Sequence, residues 1–162
     1  MSLFNRRSLL LMPLALAACG FTPAYGPTGP AAGLQGTVYA TSPTDKNGFD
    51  LVERLEERLG TPKAVVYDLG YKISTSTEGV GITTANATTR YKVTGTITWT
   101  LTNRATSTKV TEGKVSTFTA YSATGSTVAS LTASEDASRR LMRILADQIV
   151  MRLQATSGQW AK

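Results

Sequence analysis

The 162 residues include no histidine and a single cysteine. Without histidine the chain lacks the side chain that most often acts as a general base near neutral pH, and no imidazole can activate a thiol or hydroxyl. A lone cysteine cannot form an intrachain disulfide, so no covalent staple is expected. Metal-ligand spacings are missing, as are a glycine-rich phosphate loop after a strand and a G-x-S-x-G elbow. Gly79-Val80-Gly81 is turn chemistry, not a nucleotide cradle. Serines are plentiful, but nothing singles one out beside a lysine. No catalytic residue, metal or cofactor is assigned on these grounds, and no enzyme activity is expected.

Long apolar runs are also scarce. The stretch Leu9 to Ala17 is apolar apart from Pro13. Nine residues of helix reach roughly 14 Å, about half a bilayer core. That is too short for a membrane span and fits the apolar core of a signal peptide. Arg6 and Arg7 supply a positive head, and Ala15, Ala17 and Ala18 offer small residues for cleavage. Pro13 in mid-run and the lack of a polar face argue against a buried helix. Asn5-Arg6-Arg7-Ser8-Leu9-Leu10 resembles a twin-arginine signal, although a plain positive head for general secretion is the favoured reading.

The one cysteine follows directly. Leu16-Ala17-Ala18-Cys19 resembles the bacterial lipobox: an aliphatic residue, two small ones, then cysteine. The resemblance implies thioether lipidation of Cys19, cleavage before it and acylation of the new amine. An unpaired thiol in an oxidising compartment is otherwise a liability, whereas several acyl chains anchor a protein stably. Gly20 stands where lipoproteins of the inner membrane usually carry aspartate, so the same resemblance points to the outer membrane.

Basic residues outnumber acidic ones by 17 to 11, for a formal net charge of +6. Loss of Arg6 and Arg7 with the signal lowers that charge by two. A modest positive excess suits anionic partners such as phosphate-bearing lipid, and serves solubility equally. Nucleic acid is not an expected partner of an exported lipoprotein.

From Gly20 to Gly33 prolines and glycines recur, which suits a tether and no regular element. Leu34 to Ala40 reads as a short strand. Asp45 to Gly48 is cap chemistry, with Asn47 and Asp50 as a capping pair. The helix that follows puts Phe49, Leu51, Val52, Leu55 and Leu59 on one side; Gly60 and Pro62 stop it. Its acids Asp50, Glu53, Glu56 and Glu57 share a face with arginines, expected to be solvated. From Val65 to Ser74 the period is two, and Glu78 to Gly81 is expected to turn the chain. Arg90 to Asn103 alternates most clearly: Tyr91, Val93, Gly95, Ile97, Trp99 and Leu101 against threonines. Only a strand with one wet face accounts for this. Val110 to Tyr121 is a further strand whose parity slips near Val115–Phe118, which suggests a bulge. A helix is expected from Thr132, where Thr132-Ala133-Ser134-Glu135 fits a capping box. Leu141, Met142, Ile144, Leu145, Ile149 and Leu153 form its apolar stripe.

These elements predict an α+β fold in the order β-α-β-β-β-α. Two helices pack on one face, the odd-residue face, of a four-stranded, mostly antiparallel sheet. The division along the chain is a signal peptide at 1–18, a lipid anchor and Pro/Gly-rich tether at 19–33, the α+β domain at 34–155 and a flexible tail at 156–162.

Cys19-Gly20-Phe21-Thr22-Pro23-Ala24-Tyr25-Gly26, the β-α-β-β-β-α order and the closing segment Leu131 to Leu153 together resemble the LptE family of lipopolysaccharide-assembly lipoproteins, in its alphaproteobacterial form. The resemblance implies a non-catalytic plug in the lumen of the outer-membrane β-barrel LptD. It implies help in barrel assembly, lipopolysaccharide binding, and anchorage in the inner leaflet of the outer membrane. Strand parity then proposes Lys72, Arg90, Lys92 and Lys114 for lipopolysaccharide, and Thr94, Thr96, Thr98, Thr100 and Thr102 as the partner-facing row. A generic outer-membrane scaffold or barrel-assembly accessory would share the lipobox, tether and domain, and is the alternative.

Overall fold

The computed structural model describes residues 26, 29, 31–82, 88–123 and 125–160. The expected signal peptide, Cys19 and most of the tether lie outside the described residues. A 3-10 turn at Ala32–Leu34 leads into β1 (Val38–Ala40) and α1 (Lys46–Leu59). Three long strands follow, β2 (Tyr67–Ile82), β3 (Thr88–Asn103) and β4 (Lys109–Ser122), then α2 (Thr127–Trp160). The sheet order is β1-β2-β3-β4. β1 runs parallel to β2, and the other pairs are antiparallel. This is the expected α+β arrangement. Among the described residues no helix is long and apolar enough to cross a membrane.

Alternation decides the core. Odd residues Tyr67, Leu69, Val93, Ile97, Trp99, Leu101 and Val115 are buried on one sheet face. Leu51, Leu55 and Leu59 of α1 and Leu141, Leu145, Ile149 and Leu153 of α2 close over them. α2 approaches β3 closely at Gly95, where a Cβ would fall 2.9 Å from Leu145 and 3.0 Å from Leu141.

Several local expectations give way. Asp45, not Asn47, caps α1: its carboxylate accepts the Gly48 amide at 2.7 Å. Gly60, at φ 77°, ends that helix in a conformation few other residues adopt. Phe49 is exposed, because two residues turn a helix by about 200° from Leu51. Leu34 sits fully buried in the 3-10 turn, and so does Ala31, so the domain begins inside the expected tether. Glu78 to Gly81 does not turn the chain. β2 continues to Ile82, and Val80 is an extra residue between Gly79, paired with Tyr91, and Gly81, paired with Arg90. The bulge on β4 is at Val110, between Lys109 opposite Thr102 and Thr111 opposite Leu101. Val115 to Phe118 pairs regularly.

α2 starts five residues before the expected capping box. The Ser126 hydroxyl accepts the Ala129 amide at 3.2 Å, while Thr132 turns back to the Val128 carbonyl at 3.1 Å. Ile144 is exposed, and Val150 fills the core instead. The expected tail is helical as far as Trp160, which meets Tyr67 edge-on at 5.3 Å and donates to the Thr156 hydroxyl at 3.0 Å.

The charged face of α1 is a seam with α2. Arg54 reaches Asp147 with two bonds of 3.0 Å and Glu57 at 2.8 Å. Arg143 adds a contact to Glu57 at 3.3 Å. These bonds raise the Arg54 pKa, chiefly through Asp147, and lower that of Glu57, chiefly through Arg54. Asp50 is buried with Arg139 at 3.9 Å.

Candidate functional site

With both helices on the odd face, the even face of β2, β3 and β4 is left open. Register fixes what stands there. Rows across the three strands read Gly70–Thr100–Glu112, Lys72–Thr98–Lys114, Ser74–Thr96–Ser116, Ser76–Thr94–Phe118 and Glu78–Lys92–Ala120. β-branched threonine suits this pleated surface, and its hydroxyl keeps the face wet. Thr94, Thr96, Thr98, Thr100 and Thr102 line one side of β3, as parity predicts; Thr98 is exposed and the others half-buried. The Thr96 and Ser116 hydroxyls lie 3.0 Å apart, and Ser116 donates to the Gly95 carbonyl at 3.1 Å.

The four expected cations separate into two groups. Lys72 and Lys114 flank Thr98 in one row, both exposed and neither in an ion pair among the described residues. Two strand spacings set their Cα atoms roughly 10 Å apart. Arg90 lies eight residues along β3 from Thr98, roughly 27 Å away, and pairs in register with Gly81 and Ser122. Lys92 is half-buried, with its ammonium 4.9 Å from the Phe118 ring centroid and Glu78 opposite in register. A cation over a ring face is already partly satisfied. The structure therefore brings Lys72, Thr98 and Lys114 together and leaves Arg90 and Lys92 apart from them.

Phe118, which is 60% exposed, belongs to this face and was not foreseen as part of it. Its even number carried the signal, but the bulge expected around it obscured the parity. At the other end Arg104 donates from Nε to Asp68 at 3.0 Å and lies 5.3 Å from the Tyr39 ring. Arg104 holds the Asp68 carboxyl below the usual carboxylate range, mainly through this hydrogen bonding.

A groove of about 740 Å³ runs along α1, lined by Phe49, Val52, Glu53, Glu56 and neighbouring residues. Its charged lining is acidic. Among the described residues no three acids or cysteines converge at metal-binding distance. The open sheet face is chemically distinct: a field of hydroxyls in which the exposed ammonium groups of Lys72 and Lys114 flank Thr98, each able to donate three hydrogen bonds to an anion.

Comparison with known proteins fits this picture. The model of the LptE family, described as lipopolysaccharide-assembly, matches residues 35–153. No curated protein matches the chain. Among solved structures, a candidate lipoprotein from Caulobacter crescentus CB15 superposes with a TM-score of 0.67 at 16% identity, covering 80% of this chain and 96% of that one. The rare lipoprotein B of Shewanella oneidensis gives 0.58 at 11% identity, over 78% of this chain and 98% of that one. A minor lipoprotein of Acinetobacter baumannii gives 0.55 at 18% identity, over 74% and 90%. At these identities the structures show a shared fold.

Proposed function

Because the chain belongs to the LptE lipopolysaccharide-assembly family, we propose that it is an outer-membrane lipoprotein, anchored through Cys19 on the periplasmic side. In this reading it plugs and helps assemble the transport barrel LptD and binds lipopolysaccharide on its way to the cell surface. The observation that carries the reading is the open sheet face. A plug must present polar surface to a polar lumen, and the threonine row does so with short, stiff side chains. Lipopolysaccharide carries phosphates, and Lys72 and Lys114 are cations on that face without an ion-pair partner among the described residues. Charge-assisted bonds to phosphate are stronger than neutral ones. Arg90 and Lys92 make a second, separate contribution from the far end of β3.

The test is lipopolysaccharide binding at several salt concentrations. Lys72→Glu with Lys114→Glu should weaken binding more than Arg90→Glu with Lys92→Glu, because Lys92 already has the Phe118 ring. Both losses should be largest at low salt, where screening is least. All four side chains lie on the open face, so the fold should survive. Binding equal to the parent in both double variants, across the salt series, would remove this face from lipopolysaccharide recognition.

A further inference from the structure

The sheet has two long edges, and they are treated differently. β1 covers β2 only at Tyr67–Leu69. Beyond it, the outer edge of β2 carries Lys72, Glu78, a glycine pair and a bulge, which are the usual means of blunting an edge. β4 is the opposite edge. Its stretch Val115-Ser116-Thr117-Phe118-Thr119-Ala120-Tyr121 has no charge, proline, glycine or bulge. An uncharged, β-prone stretch with a free row of backbone donors and acceptors is a template for another strand. Along this edge lies a groove of about 410 Å³ between Ser116 and the α2 residues Gln148, Met151, Arg152 and Ala155. Ile144 and Met151 expose apolar surface on the same side of α2, seven residues apart.

We propose that β4 and α2 form a strand-acceptor groove for an extended, acidic segment of another polypeptide. The added strand pairs its backbone with β4. Its alternate apolar side chains lie on Ile144 and Met151, while its acids face the open side. Charge selects this occupant. Lys114 stands on that open side to meet the acids, and Arg152 adds positive charge from the helix side of the groove; among the described residues neither has an ion-pair partner, whereas Lys109 is already tied to Glu112 at 3.0 Å. A second copy pairing antiparallel about Ser116 would set Lys114 opposite Phe118 and Glu112 opposite Ala120, so self-pairing brings no acid to Lys114. Strand addition of this kind takes affinity from main-chain bonds and specificity from alternate side chains.

The probe is a blocked nonapeptide, Thr-Val-Glu-Val-Thr-Val-Glu-Val-Thr, titrated into the full isotope-labelled chain in detergent micelles. Amide shifts should be confined to Val115–Tyr121 and Gln148–Ala155. Replacing both glutamates by lysine should weaken binding about tenfold, and Lys114→Glu with Arg152→Glu in the protein should reverse that preference. Two further probes carry N-methyl groups at alternate positions, one set per edge of the peptide. One should bind and the other should not, since only one edge meets β4. Four results would each overturn the proposal: no shifts at millimolar peptide, shifts along β2 instead, equal binding of both N-methylated probes, or self-association of the chain with the same shifts.

Discussion

Trp99 and Gly113 face each other across β3 and β4, and the indole fills the space a side chain at 113 would need. A Cβ at 113 would lie 2.7 Å from Trp99 Cζ2, 3.0 Å from Cε2 and 3.2 Å from Nε1. An aromatic ring in a packed core cannot bend away, so Gly113→Ala should cost about 2 kcal/mol, within the range for overpacking. Trp99 is 3% exposed. Its removal to alanine would ordinarily cost about 3–5 kcal/mol. Its Nε1 has no hydrogen-bond partner among the described residues, and deleting a buried unsatisfied donor offsets part of that loss. The lower end, about 3 kcal/mol, is expected. Once the ring is gone the clash at 113 is gone too. The double variant should therefore lose about 3 kcal/mol and not the additive 5, a coupling of about 2 kcal/mol. Urea unfolding followed by far-ultraviolet circular dichroism measures all four corners of this cycle. Additive losses to within about 0.5 kcal/mol, or a neutral Gly113→Ala, would refute the reasoning.

Other outcomes follow from the same geometry. Trp160→Ala should destabilise the domain by about 1–2 kcal/mol, because the edge-on contact with Tyr67 extends the core to the last helical turn; an unchanged urea midpoint would mean that this turn does not dock. The lowered pKa values of Glu57 and Asp68 mean that the folded state favours their charged forms. Their contribution is present above the ordinary carboxylate range and is lost as pH falls through the lowered values, below about pH 4. Asp68→Asn should flatten part of that acid limb, and an identical limb in the variant would show the Arg104 bond to be absent in solution. Mass spectrometry of the processed N-terminus should find Cys19 lipidated and leading the chain, whereas an unmodified Cys19 or cleavage elsewhere would exclude the anchor.

Alternation and amphipathic spacing made the sheet and its buried face legible in the sequence. Once Trp99 and Ile97 are odd and the threonines even, packing has one solution. What stayed hidden was set by contacts between elements. Phe49 reads as core until Leu51, Leu55 and Leu59 are seen to be the large apolar side chains that α1 buries. Arg54 reads as solvated until Asp147, 93 residues away, meets it. Trp160 reads as tail until Tyr67 stands beside it. The candidate site shows the same division. Parity placed Lys72, Arg90, Lys92 and Lys114 on one face, but the register across three strands decides that only two of them share a row with Thr98. Lys92 is drawn to Phe118, a pairing invisible without the regular register of β4.

In its proposed role this lipoprotein works inside a barrel. Affinity capture of the tagged chain from detergent-solubilised outer membrane, with the captured proteins identified and quantified, tests it most directly. One β-barrel protein of the LptD type should be captured in equal amount with the chain. Capture of the chain without a barrel, or with a substoichiometric mixture of unrelated envelope proteins, would contradict it.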